Sequence, residues 1–393
     1  MGNAISRLFG RSSAPADSAA TRSHTPAATE PSAGSASSGG GSGGSAEATG
    51  KKVYSWDKRR QEGSVDTAHY EVKDLQNGFV AKMPGDVSGQ SFNISRCSDS
   101  TILVFDQCAS VTIDECTDCT ILIGPTNGSI FLRDCKRLNC AMVCKQFRAR
   151  DCKRVTTLLC CTSNPTLEAS KHMAFGCLSL SYKQLADQLA SAGIVVFDNS
   201  WFDVFDFSRD NLEPGEQWKF QPTVVGKEDS VLKLHKIVDD HAELASLEIT
   251  TSVESSQVPF TVGYETGCDY DQSSLAVFCN ADQEDVAAMM RRFTTSVAMD
   301  TKAIQALRSR RTTLTQEDCK EVFSYASGDK QTTLAKQGPI VGIQLSGEDI
   351  TQEWFSAHLA KSTTSTDQPA AFVFNHQDAG TKFFDFASMM STR

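Results

Sequence analysis

Apolar and polar residues alternate between Phe92 and Leu159 in a unit that recurs every 17 to 19 residues. Period-two alternation is typical of strands with one buried face, and self-similarity at this spacing indicates stacked repeats. The pattern predicts a parallel β-helix whose coils stack about 4.8 Å apart. Its turns begin at Cys97, Cys116, Cys135 and Cys152, and its first inward columns hold Phe92, Val111, Ile130 and Phe147, then Ile94, Ile113, Leu132 and Ala149.

A second apolar strand follows each turn, and its residues form three columns. Since the middle column is also apolar, another element is expected to cover the outer face of these strands. Tyr182–Leu189 is the predicted covering helix, because Leu185 and Leu189 share one helical face and Gly193 provides a stop. The columns hold Ile102, Ile121, Cys140 and Thr157, then Leu103, Leu122, Ala141 and Leu158, then Val104, Ile123, Met142 and Leu159.

Eleven of the 14 cysteines lie between Cys97 and Cys177. Two interpretations are open for them. The spacings Cys116-x-x-Cys119 and Cys140-x₃-Cys144 suggest zinc ligands, whereas the repeat register favours buried thiols that pack as small hydrophobic side chains. The register carries more weight, so we expect reduced cysteines and no metal site.

The N-terminus has the pattern of a lipid-anchored tether. Met1-Gly2-Asn3-Ala4-Ile5-Ser6 fits N-myristoylation at Gly2, and residues 11–50 contain no Val, Ile, Leu, Met, Phe, Trp or Tyr. Such a segment cannot offset its chain entropy and is expected to be disordered. The alternative is an ordinary disordered terminus without a lipid. No signal peptide and no run of about 18 apolar residues is apparent.

The formal net charge of −10 argues against nucleic acid as a partner. One outward position is nevertheless notable, because Arg148 lies in register beside Phe131, with Arg150 two residues later beside Arg133. The first interpretation is a solvated ladder of charges that offset one another. The second is an arginine held on a flat sheet for insertion into a partner, since guanidinium matches phosphate oxygens well.

The segment Gln146-Phe147-Arg148-Ala149-Arg150-Asp151-Cys152, together with Thr112–Cys119, resembles the tubulin-binding cofactor C domain. The resemblance covers roughly residues 52–359, and the start of the chain and Tyr54-Ser55-Trp56-Asp57 point to one branch of the family. It implies a right-handed parallel β-helix and activation of GTP hydrolysis in an Arf-like small GTPase of the Arf-like 3 type.

The same resemblance assigns roles to individual residues. It implies that Arg148 is an arginine finger supported by Gln146, and that Glu168 and Phe207 contact the partner, with Arg150 on the same surface. The protein would need no cofactor of its own, because the GTPase in its GTP form carries the nucleotide and Mg²⁺.

A place at the cytoplasmic face of membranes, at the plasma membrane and the base of the cilium, also follows from the resemblance. N-myristoyl Gly2 would bind the membrane, and an acyl-binding carrier protein is a further expected partner. Two departures matter here. Asn3 replaces the cysteine that the family palmitoylates, so that one acyl chain gives only reversible attachment, and Lys145 replaces a usual glutamine.

Downstream of residue 272 the pattern changes to alternating strands and helices. Strands are predicted at Leu275–Cys279 and Pro339–Leu345, and helices at Asp285–Phe293, from Thr315 to about Tyr325, and at Ile350–Leu359. This part is similar to the ferredoxin-like α/β fold of nucleoside diphosphate kinases. His376 is not in the Gly-Ser-Asp setting that a kinase needs, so no kinase activity is expected. Residues after Ser362 have no clear pattern.

The predicted organisation is therefore a tether at 1–52, a β-helix domain with its covering helix at 53–209, a connecting segment at 210–272 and a kinase-related domain at 273–393. Two functions besides GTPase activation stay open. One is a non-catalytic effector that recognises the GTP state, and the other is a tubulin-folding factor like cofactor C. A single-turnover GTPase assay separates the first from activation, and binding to other tubulin cofactors would support the second.

Overall fold

The structure is a computed structural model, and it describes residues 67–213, 215–221, 231–263, 273–300, 304–363, 370–376 and 378–391. They belong to a single compact unit, Ser64–Arg393. The N-terminal tether, with Gly2 and Asn3, lies outside the described residues. None of the helices in these ranges is long and apolar enough to cross a membrane.

A parallel β-solenoid occupies the first half of the described chain and confirms the predicted repeat. Its strands pair in parallel from one coil to the next. The end strands β1 and β12 pair on one side only. The strands are β1 (Glu71–Lys73), β2 (Phe79–Lys82), β3 (Phe92–Ser95), β4 (Thr101–Val104), β5 (Val111–Asp114), β6 (Thr120–Arg133), β7 (Asn139–Arg150), β8 (Thr156–Cys161), β9 (Thr166–Glu168), β10 (Ala174–Cys177), β11 (Phe205–Asp206) and β12 (Lys219–Phe220).

The register between coils is the one that the columns predict. Phe92, Val111, Ile130 and Phe147 are aligned partners across β3, β5, β6 and β7, and all four are buried. The columns after the turns also align. Stacking like residues at the strand spacing buries their apolar side chains against one another, which stabilises the solenoid through buried apolar area.

Strands β6 and β7 are longer than expected, because each continues around a bend from one face of a coil to the next. The β6–β7 register shifts twice, between Ile123 and Pro125 and between Thr126 and Ser129. Gly124 and Gly128 lie at these shifts, where an added Cβ would come within 2.6 Å of a main-chain oxygen on the neighbouring coil. Glycine therefore permits the close approach of the coils at the bend.

The covering helix forms at α1 (Leu185–Ala192), three residues later than its predicted start. Leu185 and Leu189 are buried, and Gly193 ends the helix in the left-handed region with φ of 61°. Gln188 donates a hydrogen bond from Nε2 to the carbonyl of Phe105 at 3.0 Å, which ties the helix to the solenoid. The next helix is α2 (Leu234–Asp240), and 3₁₀ turns include Val196–Asp198 and Ala242–Leu247.

The C-terminal part forms a separate four-stranded antiparallel sheet. Its elements are β13 (Ser273–Phe278), α3 (Glu284–Ala298), β14 (Gln305–Thr312), α4 (Gln316–Val322), α5 (Gly328–Lys336), β15 (Ile340–Ser346), α6 (Gln352–Ser362), β16 (Ala371–Phe374) and α7 (Ala379–Ser391). The strands have the spatial order β14–β15–β13–β16. With the helix α3 between β13 and β14 and α6 between β15 and β16, this is the ferredoxin-like topology.

The sequence expectations need correction in this part. The helix from Thr315 ends at Val322, and a separate α5 follows it after Ser327. The segment after Ser362, which has no clear pattern, contributes the edge strand β16 and the helix α7. The first of these helices begins with a capping box, since Thr315 Oγ1 accepts from the Asp318 amide and Asp318 accepts from the Thr315 amide.

Candidate functional site

A broad outward face of the solenoid brings together all five residues for which catalysis or partner contact is predicted in the described part of the chain. Arg148 on β7 is aligned with Phe131 on β6 and with Thr166 on β9. Thr166 is in turn aligned with Phe205 on β11. Adjacent strands are about 4.8 Å apart, so these side chains form one row across the coils.

A second row runs parallel to the first, two residues further along each strand. It contains Asp114, Arg133, Arg150 and Glu168 as aligned partners. Phe207 continues this row, because its amide donates to the carbonyl of Leu167, next to Glu168, at 3.0 Å. Gln146 precedes Arg148 by two residues and is aligned with Ser129. The five predicted residues therefore share one surface, which we call the Arg148 face.

Arg148 has a rigid backbone and an exposed side chain. The residues on either side of it, Phe147 and Ala149, are 0% and 2% exposed in the solenoid interior. The Phe147 ring packs edge-on against Phe175, with centroids 5.6 Å apart. Because both neighbours are fixed in the core and β7 is paired on both edges, the guanidinium extends from a backbone with little freedom to move.

Three other arginines of the solenoid, unlike Arg148, each pair with an aspartate. Arg133 donates from Nε to Asp114 at 2.7 Å, and Arg96 and Arg137 pair in the same way with Asp74 and Asp118. Within the part of the chain that the structure describes, the side chain of Arg148 forms no hydrogen bond and no ion pair. The charge-ladder interpretation is thus right for Arg133 and does not extend to Arg148.

Arg150 and Lys145 have local partners. Arg150 Nε lies 3.3 Å from a carboxylate oxygen of Asp151, and both side chains are about half exposed. Lys145 donates from Nζ to Oδ1 of Asn127 at 2.7 Å. An exposed pair of this kind contributes little to stability, so the Arg150 charge remains accessible to a partner.

Two exposed phenylalanines border the Arg148 face. Phe205 is 55% and Phe207 68% exposed, and their rings meet edge to face with centroids 4.7 Å apart. Adjacent exposed aromatic rings are costly in water and mark an interaction site. Phe205 is not among the residues predicted from the sequence, although its i, i+2 spacing from Phe207 places both rings on one face of a strand.

The cysteines of the solenoid face its interior. All the cysteines in the described ranges are free and buried, and Cys135 Sγ donates to the carbonyl of Arg133 at 3.2 Å. Burial raises the pKa of Cys108 to about 12 and that of Cys119 to about 11. Among the described residues, no three His, Cys, Asp or Glu side chains are arranged to hold a metal ion. Cys108 and Cys119 are thus protonated thiols that pack as small hydrophobic side chains.

His376 lies away from the Arg148 face, just after β16. Its ring stacks on that of Tyr325 with centroids 4.5 Å apart, and its Nδ1 accepts the Asp378 amide at 3.2 Å. These contacts occupy one ring nitrogen and one ring face. The expectation that this domain has no kinase activity stays a prediction.

Comparisons with known proteins agree with this architecture. The family model described as tubulin binding cofactor C matches residues 89–207. Protein XRP2 of Danio rerio is 32% identical over 343 residues, which are 86% of each chain. Protein XRP2 of Xenopus laevis is 35% identical over 76% of this chain and 80% of its own. Human tubulin-specific chaperone C is 25% identical over 38% of this chain and 43% of its own.

The matched family region contains β3 to β11 and ends at Phe207, so that it includes the whole Arg148 face. The XRP2 relatives extend well beyond this region, as a solenoid followed by further domains would require. With more than 30% identity over most of both chains, this chain belongs to the XRP2 (retinitis pigmentosa 2 protein) family.

Proposed function

We propose that this protein activates GTP hydrolysis by an Arf-like small GTPase of the Arf-like 3 type, with Arg148 as an arginine finger supplied in trans. The observation that carries the proposal is the exposed Arg148 guanidinium, which has no ion-pair partner among the described residues while Arg96, Arg133 and Arg137 each pair with an aspartate. Membership in the XRP2 family supports it.

The mechanism follows from the electrostatics of phosphoryl transfer. The GTPase supplies GTP, Mg²⁺ and the residue that positions the attacking water. Arg148 then neutralises the negative charge that develops on the transferred phosphoryl oxygens, an effect worth about 10³- to 10⁵-fold in rate. Because β7 fixes the backbone of Arg148 before binding, only side-chain entropy is lost when the guanidinium enters the partner's site.

The other residues of the face would form the docking surface. Gln146 lies on the same side of β7 as Arg148 and offers an amide to the partner's switch region. Phe205 and Phe207 would bury apolar area at the border of the face. Glu168 and Arg150 are aligned neighbours of opposite charge, and they would fix the orientation of the complex.

A single-turnover GTPase assay with Arg148→Ala tests this function. The variant should bind the GTP-loaded partner as tightly as the wild type and accelerate hydrolysis at least about 10³-fold less. Arg137→Ala is the matched control, because Arg137 is an exposed solenoid arginine that pairs with Asp118. Undiminished acceleration by Arg148→Ala would rule out the finger, and wild-type binding without any acceleration would indicate a non-catalytic effector.

A second candidate is a role in tubulin folding, which the similarity to tubulin-specific chaperone C favours. The same Arg148 would then act on tubulin-bound GTP. Testing tubulin complexes and a panel of Arf-like GTPases in the same hydrolysis assay separates the two functions, since only the true partner should respond to Arg148→Ala.

We also propose that N-myristoyl Gly2 attaches the chain reversibly to the cytoplasmic face of membranes. An acyl-binding carrier protein would shield the lipid between membranes. One acyl chain gives a membrane affinity of only about 10⁴ M⁻¹, so lasting attachment requires a second contact.

A further inference from the structure

A column of basic residues runs along one narrow edge of the solenoid. Lys136, Lys153 and Lys171 are bridged partners on successive coils. Each is followed by a second basic residue at the corner of its turn, where the backbone is in the left-handed region. We call these six residues the basic ladder: Lys136, Arg137, Lys153, Arg154, Lys171 and His172.

Much of the charge on the basic ladder is not neutralised. Arg137 pairs with Asp118, and Lys171 pairs with Glu216 at 2.8 Å. Lys136, Lys153 and Arg154 are exposed, and none of these three forms an ion pair within the described ranges. Stacking like charges at the coil spacing is unfavourable unless something outside the chain offsets it.

The basic ladder contrasts with the rest of the molecule. The whole chain has a net charge of −10, and the coil just before the ladder has Thr117 and Asp118 at the positions of Lys136 and Arg137. At these two positions the charge therefore changes from negative on one coil to positive on the coils that follow. A segregated field of this kind attracts an anionic partner to this edge even though the protein as a whole is acidic.

The ladder adjoins the Arg148 face without overlapping it. Strand β7 ends at Arg150, the chain turns at Asp151 with φ of 54°, and Lys153 then lies on the next edge of the same coil. A partner bound along the ladder would therefore leave Arg148 accessible from the side. Both surfaces are built on the coils that contain β7 and β9, so they keep a fixed orientation to each other.

We propose that the basic ladder is a docking surface for the anionic headgroups of a lipid bilayer. Its cations lie along a straight, rigid edge. They include lysines, whose ammonium groups are compact charges on flexible stems, in contrast to the planar guanidinium group of arginine. A bilayer supplies laterally mobile phosphates and carboxylates that can adjust to any spacing. An extended acidic peptide along the ladder fits less well, because its same-side residues repeat at about 6.8 Å and the coils at about 4.8 Å.

This inference goes beyond the proposed GTPase activation and does not depend on it. It provides the second contact that a singly acylated chain requires, and it sets the orientation of the solenoid, with the ladder edge on the membrane and the Arg148 face directed sideways. A GTPase held at the same membrane would then meet Arg148 without lifting the protein from the surface.

The test is vesicle co-sedimentation of the full chain without acylation. The probes are phosphatidylcholine vesicles with and without phosphatidylserine. The ladder variant is Lys136→Gln, Lys153→Gln, Arg154→Gln, and the control is Lys320→Gln, Lys336→Gln, Lys361→Gln. The control removes the same net charge from exposed positions elsewhere, and matching circular dichroism would establish that both variants fold.

The wild type and the control should bind the phosphatidylserine vesicles, and binding should weaken as salt screens the charges. The ladder variant should bind about 100-fold more weakly, since each of the three basic residues contributes roughly fivefold near an anionic surface. Equal loss in the two variants, no binding by the wild type, or ladder-dependent binding to a polyglutamate peptide instead of vesicles would each overturn the proposal.

Discussion

At the scale of single residues, the environment of each arginine follows from its column in the solenoid. Arg133 is aligned with Asp114 on the preceding coil, and a bidentate pair forms because the strand spacing suits a guanidinium and a carboxylate. Arg148 is aligned with Phe131 and Thr166, neither of which carries a negative charge that could pair with the guanidinium. The register thus leaves Arg148 accessible to a phosphate on another molecule.

Phe205 and Phe207 provide the residue-scale prediction. Phe205→Ala and Phe207→Ala should each weaken binding to the GTP-loaded GTPase about tenfold or more, because buried aromatic anchors contribute more than about 1 kcal/mol at interfaces. Neither change should affect hydrolysis at a saturating concentration of the protein. Titration calorimetry measures the affinity, with Met299→Ala as a control for the loss of an exposed apolar side chain elsewhere. Unchanged affinity in both phenylalanine variants would remove the pair from the interface.

At the scale of elements, the solenoid could be predicted because each buried column requires an apolar residue at the same position of every coil. Phe92 and Val111 illustrate this, since their shared column sets the register of β3 and β5. The Arg148 face follows from that register, but its proposed role came from a family resemblance rather than from the pattern.

Helix α7 could not be predicted because its own apolar residues lie on all sides of the helix. Phe383 is buried whereas Met389 is exposed, so no single apolar stripe marks the helix. Strand β16 has only four residues, too few for a periodic signal.

The packing of α7 on the C-terminal sheet gives a prediction for an element. A Cβ on Gly342 in β15 would overlap the buried ring of Phe383 on α7. Gly342→Ala should therefore lower the free energy of unfolding by about 1–3 kcal/mol through overpacking. Gly328→Ala is the control, because nothing lies within 4 Å of its added methyl group. Thermal denaturation measures both, and equal midpoints would show that α7 is not seated against Gly342.

At the scale of the whole molecule, the solenoid and the C-terminal sheet meet through polar contacts as well as apolar ones. The 3₁₀ turn at Val196–Asp198 follows the covering helix and packs against β14. Ser309 donates from Oγ to the carbonyl of Phe197 at 2.8 Å, and the Arg311 amide donates to Oδ1 of Asp198 at 2.8 Å. The edge strand β14 of the C-terminal sheet is thereby held by the 3₁₀ turn that follows the covering helix of the solenoid.

Asp198 makes this junction sensitive to substitution and to pH. Burial raises the pKa of its carboxyl above the usual value, and the Arg311 amide only partly offsets this effect. A carboxyl with a raised folded pKa binds its proton more tightly in the folded state. Its contribution to stability is therefore greatest at acid pH and declines as the pH rises through the folded pKa.

Two substitutions at Asp198 separate the hydrogen bond from the charge. Asp198→Ala leaves the Arg311 amide without its acceptor and should cost about 1–3 kcal/mol at neutral pH. Asp198→Asn keeps an oxygen acceptor and removes the buried charge, so its thermal midpoint at neutral pH should equal or exceed that of the wild type, and this advantage should disappear at acid pH. Equal destabilisation by both changes would mean that the junction depends on the charge of Asp198, through attraction to the guanidinium groups of Arg310 and Arg311.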